Sequence, residues 1–277
     1  CTIPCGHCDA CLNMRDRDNL CENSGIYGLM PEDDHYHFNG WFSDYLVIRK
    51  GSTFFKVNDM SLKLRLLIEP AAVVVHAVER AKATGLITFN SNVLIQGVGP
   101  IGLMLLAVVR TMGVENITVV DGDEKRLQMA KRFGAKYTVN FKNYKDLDEE
   151  IRRVKEVTGG RGADFAFQCT GVPSAASNVW KFVKRGGGLA EIGFFVDNGS
   201  CTINPHFDIC NKEITMVGSW TYKVSDYPIT MDFLKRAVGI GLPIEELVTH
   251  EFPLDQMNEA MDVNMKQLGI KIAYVAK

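Results

Sequence analysis

Residues 92–102 read Asn92-Val-Leu-Ile-Gln96-Gly97-Val-Gly99-Pro-Ile-Gly102, a compact apolar run that breaks into three glycines. The run predicts a buried strand over Asn92–Gln96, and the apolar stretch beyond it predicts a helix over Ile101–Met112. Each glycine between strand and helix has a physical use. Gly97 permits the tight turn, Gly99 lets backbone approach a pyrophosphate, and Gly102 lets the helix pack against the strand. Pro100 and Ile101 then open a helix whose unpaired N–H groups and positive dipole end face the phosphates. The next predicted strand, Asn116–Val120, runs into Asp121, nineteen positions after Gly102. A carboxylate there accepts hydrogen bonds from the adenosine ribose hydroxyls and repels a 2′-phosphate. Strand, glycine turn, helix and acid together predict a dinucleotide (Rossmann) site that favours NAD over NADP. A glycine-rich βα turn in an unrelated α/β protein is the competing reading, and it does not call for the acid.

The pattern continues outward from this unit. A helix is predicted over Glu124–Phe133, then a strand over Tyr137–Asn140 and a helix over Leu147–Thr158. Strand Asp164–Gln168, helix Ala175–Lys184 and strands Leu189–Ile192 and Ile214–Gly218 follow. Strands apolar along their length and separated by helices imply a parallel sheet covered on both faces, a doubly wound α/β domain. From Tyr227 come two helical stretches and a last strand, Ile270–Val275. Residues 1–60 differ: they are polar and loop-rich, with turn signals at Gly25, Gly28, Pro31 and Asn39-Gly40. One short strand is predicted among them, Ser43–Ile48. The division expected is 1–70, 71–222 for the dinucleotide domain, and a C-terminal return over 223–277.

Composition narrows the function class. The 277 residues are 46% hydrophobic and 23% charged, as in a soluble globular protein. A formal net charge of −2 without a basic block argues against nucleic acid as a partner. The longest apolar runs, Ala71–Val75 and Ile101–Val109, end at His76 and Arg110. Both fall short of the roughly 20 residues a membrane span needs. No signal peptide is legible, so the expected location is the cytoplasm. The chain opens on Cys1, which reads as a cut end.

Five of the eight cysteines lie within the first 21 residues. Cys5, Cys8 and Cys11 are evenly spaced and Cys21 follows. Four thiolates suit tetrahedral Zn²⁺, and a closed set without a water position marks a structural site. Ordinary thiols or a redox pair are the alternatives. Cys1 does not continue the register, and His7 is surplus to a filled tetrahedron.

Cysteine lobe and glycine turn occur together with Asn39-Gly-Trp-Phe-Ser-Asp-Tyr45, Glu69-Pro70, Gly134-Ala135, Gly162-Ala-Asp164, Cys169-Thr-Gly171, Arg185-Gly-Gly-Gly188 and Gly218-Ser-Trp220. In that order they resemble the zinc-dependent alcohol and polyol dehydrogenases of the medium-chain dehydrogenase/reductase type. The resemblance implies a Rossmann domain beside the remainder of a GroES-like, mainly-β catalytic domain. It maps the structural zinc to Cys5, Cys8, Cys11 and Cys21, and one catalytic-zinc ligand to Glu69. It places Arg126 beside the adenosine ribose, Thr170, Gly193 and Trp220 around the nicotinamide, and Lys271 near the pyrophosphate. The implied reaction is hydride transfer between NAD and a secondary alcohol, with zinc as Lewis acid. Glu69-Pro70 leans towards polyols, cyclitols or amino alcohols. The family's other catalytic-zinc ligands, a Cys and a His, precede the lobe cysteines, so the chain is expected to lack its front and to be barely active alone. His35 and His37 are expected to be solvated, His76 to be a core histidine, and His206 and His250 to have no metal role. The expected assembly is a homodimer or homotetramer. Competing readings are a zinc-free quinone or enoyl reductase, which the lobe and Asp121 oppose, and a non-catalytic NAD-binding protein.

Overall fold

The computed structural model describes residues 2–14, 16–31 and 37–275. Its contacts divide into two units. Cys1–Glu69, Tyr222–Met231 and Glu245–Lys277 form the first; Pro70–Thr221 and Asp232–Ile244 form the second. Residues 232–244 therefore belong with the sheet unit, although the sequence reading groups them with the C-terminal return.

The first unit begins with β1 (Thr2–Ile3), α1 (Asp9–Leu12) and β2 (Gly25–Ile26), β1 and β2 pairing antiparallel. Helix α2 (Leu62–Lys82) carries Pro70 in its interior, at the residue where the second unit begins. The predicted strand at Ser43–Ile48 does not form. The Ser43 hydroxyl donates to the carbonyls of Gly40 and Tyr45, and Val47 N–H reaches only Phe38 O at 3.2 Å. With no ladder beside it among the described residues, β-branched and aromatic composition is not enough to make a strand.

The second unit alternates strand and helix. Its elements are β3 (Val93–Gln96), α3 (Pro100–Thr111), β4 (Ile117–Asp121), α4 (Glu124–Arg132) and β5 (Tyr137–Asn140). They continue with α5 (Leu147–Val157), β6 (Ala163–Gln168), α6 (Pro173–Phe182), β7 (Val183–Glu191) and β8 (Thr215–Gly218). All six strands are parallel, in the order β5-β4-β3-β6-β7-β8. Chain order reverses between β3 and β6, which makes that gap the switch point where doubly wound sheets bind ligands. Central β3 is buried along its whole length, and Gly102–Val109 of α3 is buried all round, as expected of a helix inside a core. On one sheet face Leu94, Val120, Ala166 and Leu189 pack with Val154 of α5 and Val179 and Trp180 of α6. Each buried valine or leucine among them contributes about 1.5–3 kcal/mol by leaving water. Asp123 caps α4 by accepting from Lys125 N and Arg126 N, and Asp146 caps α5 by accepting from Glu149 N.

The chain ends with α7 (Asp226–Gly239), β9 (Val248–Phe252), α8 (Met257–Met265) and β10 (Lys271–Tyr274). Strand β9 pairs parallel with β10 and was not expected. Its sequence, Val-Thr-His-Glu-Phe, has no apolar run, and only its partner declares it. No helix among the described residues is long and apolar enough to cross a membrane.

Candidate dinucleotide and zinc sites

The turn from β3 to α3 needs glycine at two of its three positions for steric reasons. Gly97 has φ +86°, and a Cβ there would fall on Thr170 Cγ2 and lie 3.4 Å from the Cys169 carbonyl carbon. A Cβ on Gly102 would lie 2.9 Å from the Gly97 carbonyl carbon and closer still to its oxygen. Gly99 is different: nothing lies within 4 Å of a Cβ built on it. Gly99 is the N-cap of α3 with no side-chain capping bond, and Pro100 follows at the first helical position. The first-turn N–H groups therefore open onto a surface that backbone-sized groups can approach, the arrangement that binds phosphate.

Asp121 ends β4, half-buried, and holds the turn in place. Its Oδ2 accepts from Val98 N at 2.8 Å and its Oδ1 from Asp123 N at 2.9 Å. Each carboxylate oxygen has a further lone pair for a ribose hydroxyl. Asp121 is thereby also a strut between β4 and the glycine loop. Arg126 stands one turn into α4, its backbone N–H bonded to Asp123 Oδ1 at 3.1 Å. Two residues the sequence did not single out border the same place. A Cβ on Gly122 would meet Phe141 Cζ at 2.5 Å and Lys142 Cε at 3.0 Å. The β4–β5 register, Asp121 opposite Asn140, brings them there, and no local signal announces it.

Beyond the switch point, Thr170 N donates to Gln168 Oε1, and Val172 N donates to Thr170 Oγ1 at 3.2 Å. Gly193 packs so tightly on this loop that a Cβ would lie 2.6 Å from the Thr170 carbonyl carbon. Trp220 follows β8 and stacks with Phe195, ring centroids 5.2 Å apart at 24°. Thr170 and Gly193 thus come together at the carboxyl edge of the sheet. Glu191 ends β7 there. Burial raises its carboxyl group to about 7 against the opposing pull of the Gly193 and Ile192 N–H groups. Burial, with Glu191 second, pushes the Cys169 thiol up.

In the first unit Cys5, Cys8, Cys11 and Cys21 bring their sulfurs within 4.8 Å of one another. Cys8 Sγ lies 3.5 Å from Cys11 Sγ and 3.9 Å from Cys21 Sγ. A tetrahedron with zinc–sulfur bonds of ~2.3 Å has edges of about 3.8 Å, so the spacing fits Zn²⁺ with little adjustment. All four are free of disulfides, and Cys21 Sγ accepts from Cys5 N at 3.2 Å. A backbone N–H bond from Glu22, then one from Cys11, lowers Cys8 to about 6, while burial raises Cys21. Thiols this close cannot all ionise unless a cation joins them. Cys1 lies outside the described residues. Among the described residues this is the one group of three or more His, Cys, Asp or Glu assembled as a metal site.

Glu69 lies in the interior of α2 and is exposed. Tyr222 Oη donates to its Oε1 at 3.1 Å, and the Tyr222 ring meets Tyr227 edge-on at 5.4 Å. Lys271 opens β10 in the first unit, half-buried. His76 is buried on α2 and His37 is exposed, while His35 is outside the described residues.

Comparison with known proteins gives a consistent picture. The family described as zinc-binding dehydrogenase matches residues 100–236. A sorbitol dehydrogenase of Bacillus subtilis is 33% identical over 260 residues, covering 94% of this chain and 67% of that protein. An L-idonate 5-dehydrogenase of Vitis vinifera is 28% identical over 267 residues, 95% of this chain and 68% of its own length. The crystal structure of an alcohol dehydrogenase from Thermotoga maritima superposes with a TM-score of 0.90 at 26% identity, covering 100% of this chain and 74% of that one.

Proposed function

This chain belongs to the zinc-binding dehydrogenase family, and from that premise we propose that it moves hydride between NAD and a secondary alcohol of the polyol, cyclitol or amino-alcohol class. The observation that carries the cofactor half is the turn at Gly97–Gly102 with Asp121 behind it. Gly97 and Gly102 admit no Cβ, Gly99 leaves open space, and Asp121 offers ribose acceptors while opposing a 2′-phosphate. Arg126, Thr170, Gly193 and Trp220 are proposed to border the adenosine and nicotinamide ends, and Lys271 the pyrophosphate. Cys5, Cys8, Cys11 and Cys21 are proposed to hold a structural zinc that staples a segment whose own core is small.

When bound, a catalytic zinc supplies Lewis acidity to the alcohol oxygen and the nicotinamide accepts hydride. The chain's own contribution there is Glu69, proposed as one ligand. Tyr222 fixes the direction of that carboxylate, as outer partners of metal ligands do. Burial, the largest cause, keeps the Tyr222 hydroxyl protonated, so it remains a donor throughout the neutral range. The sorbitol and L-idonate dehydrogenases among its relatives favour a polyol over a simple alcohol.

Two measurements test the proposal. Calorimetric titration of the chain should give tighter binding of NAD⁺ than of NADP⁺; the reverse order overturns the assignment of Asp121. NADH absorbance, measured on the protein joined to a segment that supplies a Cys and a His for the catalytic zinc, should give turnover with secondary polyols, cyclitols or amino alcohols that ethanol does not match. A preference for ethanol would remove the substrate class.

A further inference from the structure

Three polar side chains stand in one row across the carboxyl edge of the sheet. Gln96 ends β3, Gln168 ends β6 and Glu191 ends β7. Gln96 is in register with Gln168 and Gln168 with Glu191, so all three share one sheet face. Gln96 is 6% exposed and Gln168 0%, yet Gln96 Oε1 and Gln168 Nε2 have no hydrogen-bond partner. An unpaired acceptor beside an unpaired donor is unusual in a core that satisfies its polar groups, and it marks a place kept polar. Glu191 Oε1 accepts from Gly193 N at 2.8 Å, and Gly193 rests on Thr170. The row thus lies directly beneath the loops that serve the second mononucleotide half of a doubly wound sheet.

We infer that Glu191 is a positioning residue that acts as counter-charge to the oxidised nicotinamide ring and sets the relative affinity for NAD⁺ and NADH. This rests on the NAD reading above. The oxidised ring carries a positive charge and the reduced ring carries none. A carboxylate held in a partly buried site separates the two forms by charge alone, where the neutral acid does not. Burial lifts Glu191 to about 7, so its charge changes in the neutral range. Its neighbours do not duplicate this role. On the β6 side stands Cys169, whose thiol burial keeps protonated. On the β8 side Arg80 of α2 donates from Nε to Gly218 O at 2.8 Å and stays cationic. In the loop after β7, Asp197 Oδ1 accepts from Gly199 N at 2.9 Å.

The sign follows from linkage. Ionised Glu191 favours NAD⁺, so NAD⁺ affinity rises as pH rises through about 7, and NADH affinity stays level. The test measures dissociation constants for both cofactors, NAD⁺ by calorimetry and NADH by fluorescence, on either side of neutrality. In the unaltered chain NAD⁺ should tighten roughly tenfold across the titration. Glu191→Gln, which keeps an oxygen for Gly193 N, should give a level profile fixed at the weak limit for NAD⁺, with NADH unchanged. Cys169→Ser should keep the slope. A level NAD⁺ profile in the unaltered chain overturns the inference, as does an equal loss for both cofactors in Glu191→Gln, which would mean a purely structural role. Failure of the unaltered chain to bind either cofactor removes the NAD reading itself.

Discussion

Two alanine substitutions three residues apart in the same turn should fail in opposite ways. In Gly102→Ala the new methyl would lie 2.9 Å from the Gly97 carbonyl carbon and closer to its oxygen. Carbon atoms settle about 3.5–4 Å apart, so α3 must retreat from β3 by more than half an ångström. The obstacle is backbone, and both elements lie in the core, with Ile95, Leu103 and Leu106 fully buried. Overpacking of this kind costs about 1–3 kcal/mol, and the rigid neighbour puts this case at the upper end. At ~2–4 °C per kcal/mol, the melting temperature should fall by roughly 6–12 °C. Retreat of the helix also draws its first N–H groups from the phosphates, so NAD affinity should drop with stability. Gly99 has φ −68° and ψ −167°, which alanine adopts readily, and no atom lies within 4 Å of its Cβ position. Gly99→Ala should therefore melt within ~1 kcal/mol of the unaltered chain yet bind NAD at least about tenfold more weakly, because its methyl fills the phosphate's approach. Differential scanning fluorimetry with and without NAD separates the two. An unimpaired Gly102→Ala, or a Gly99→Ala that unfolds early and binds NAD normally, would refute the roles given to these glycines.

Other outcomes follow from the same geometry. Asp121→Ser should narrow the preference for NAD⁺ over NADP⁺ and also loosen the turn by about 1 kcal/mol, since the Val98 and Asp123 N–H groups lose their acceptors; unchanged cofactor ratios would count against it. Metal analysis of the 277-residue chain should find one tightly held zinc, and Cys8→Ser should release it and increase hydrogen exchange over residues 2–26 far more than over β3; two retained zincs would contradict this. Asp164 is held below its ordinary value: burial acts to raise it, but Lys184 and the Asn92 N–H outweigh that effect. Its contribution is present above the unfolded carboxyl value near 3.9 and is lost as pH falls through the lower folded value. Asp164→Asn should lower the melting temperature at neutral pH and flatten its acid dependence, whereas a parallel acid profile in both proteins would assign that loss to other carboxylates.

Most of the second unit was legible because its signals are local. A strand apolar on both faces, a glycine turn and a helix apolar all round are short-range facts about Val93–Thr111, and β5 falls on the predicted residues. Cys5, Cys8, Cys11 and Cys21 were legible for a chemical reason, since few other uses require four thiols at such spacing. What tertiary structure decided is whatever depends on a partner far along the chain. Ser43–Ile48 has strand composition but no ladder to join among the described residues, while Val248–Phe252 lacks the composition and becomes a strand because β10 pairs with it. Glu69 was singled out through the resemblance alone, and its partner Tyr222, 153 residues away in sequence, is set beside it only by folding. The Gln96–Gln168–Glu191 row exists only through the β3–β6–β7 register, because each residue alone is an ordinary polar end to a strand. Periodicity and spacing fix which elements form. Registry and burial, which sum over the whole chain, fix which side chains meet and what charge they carry.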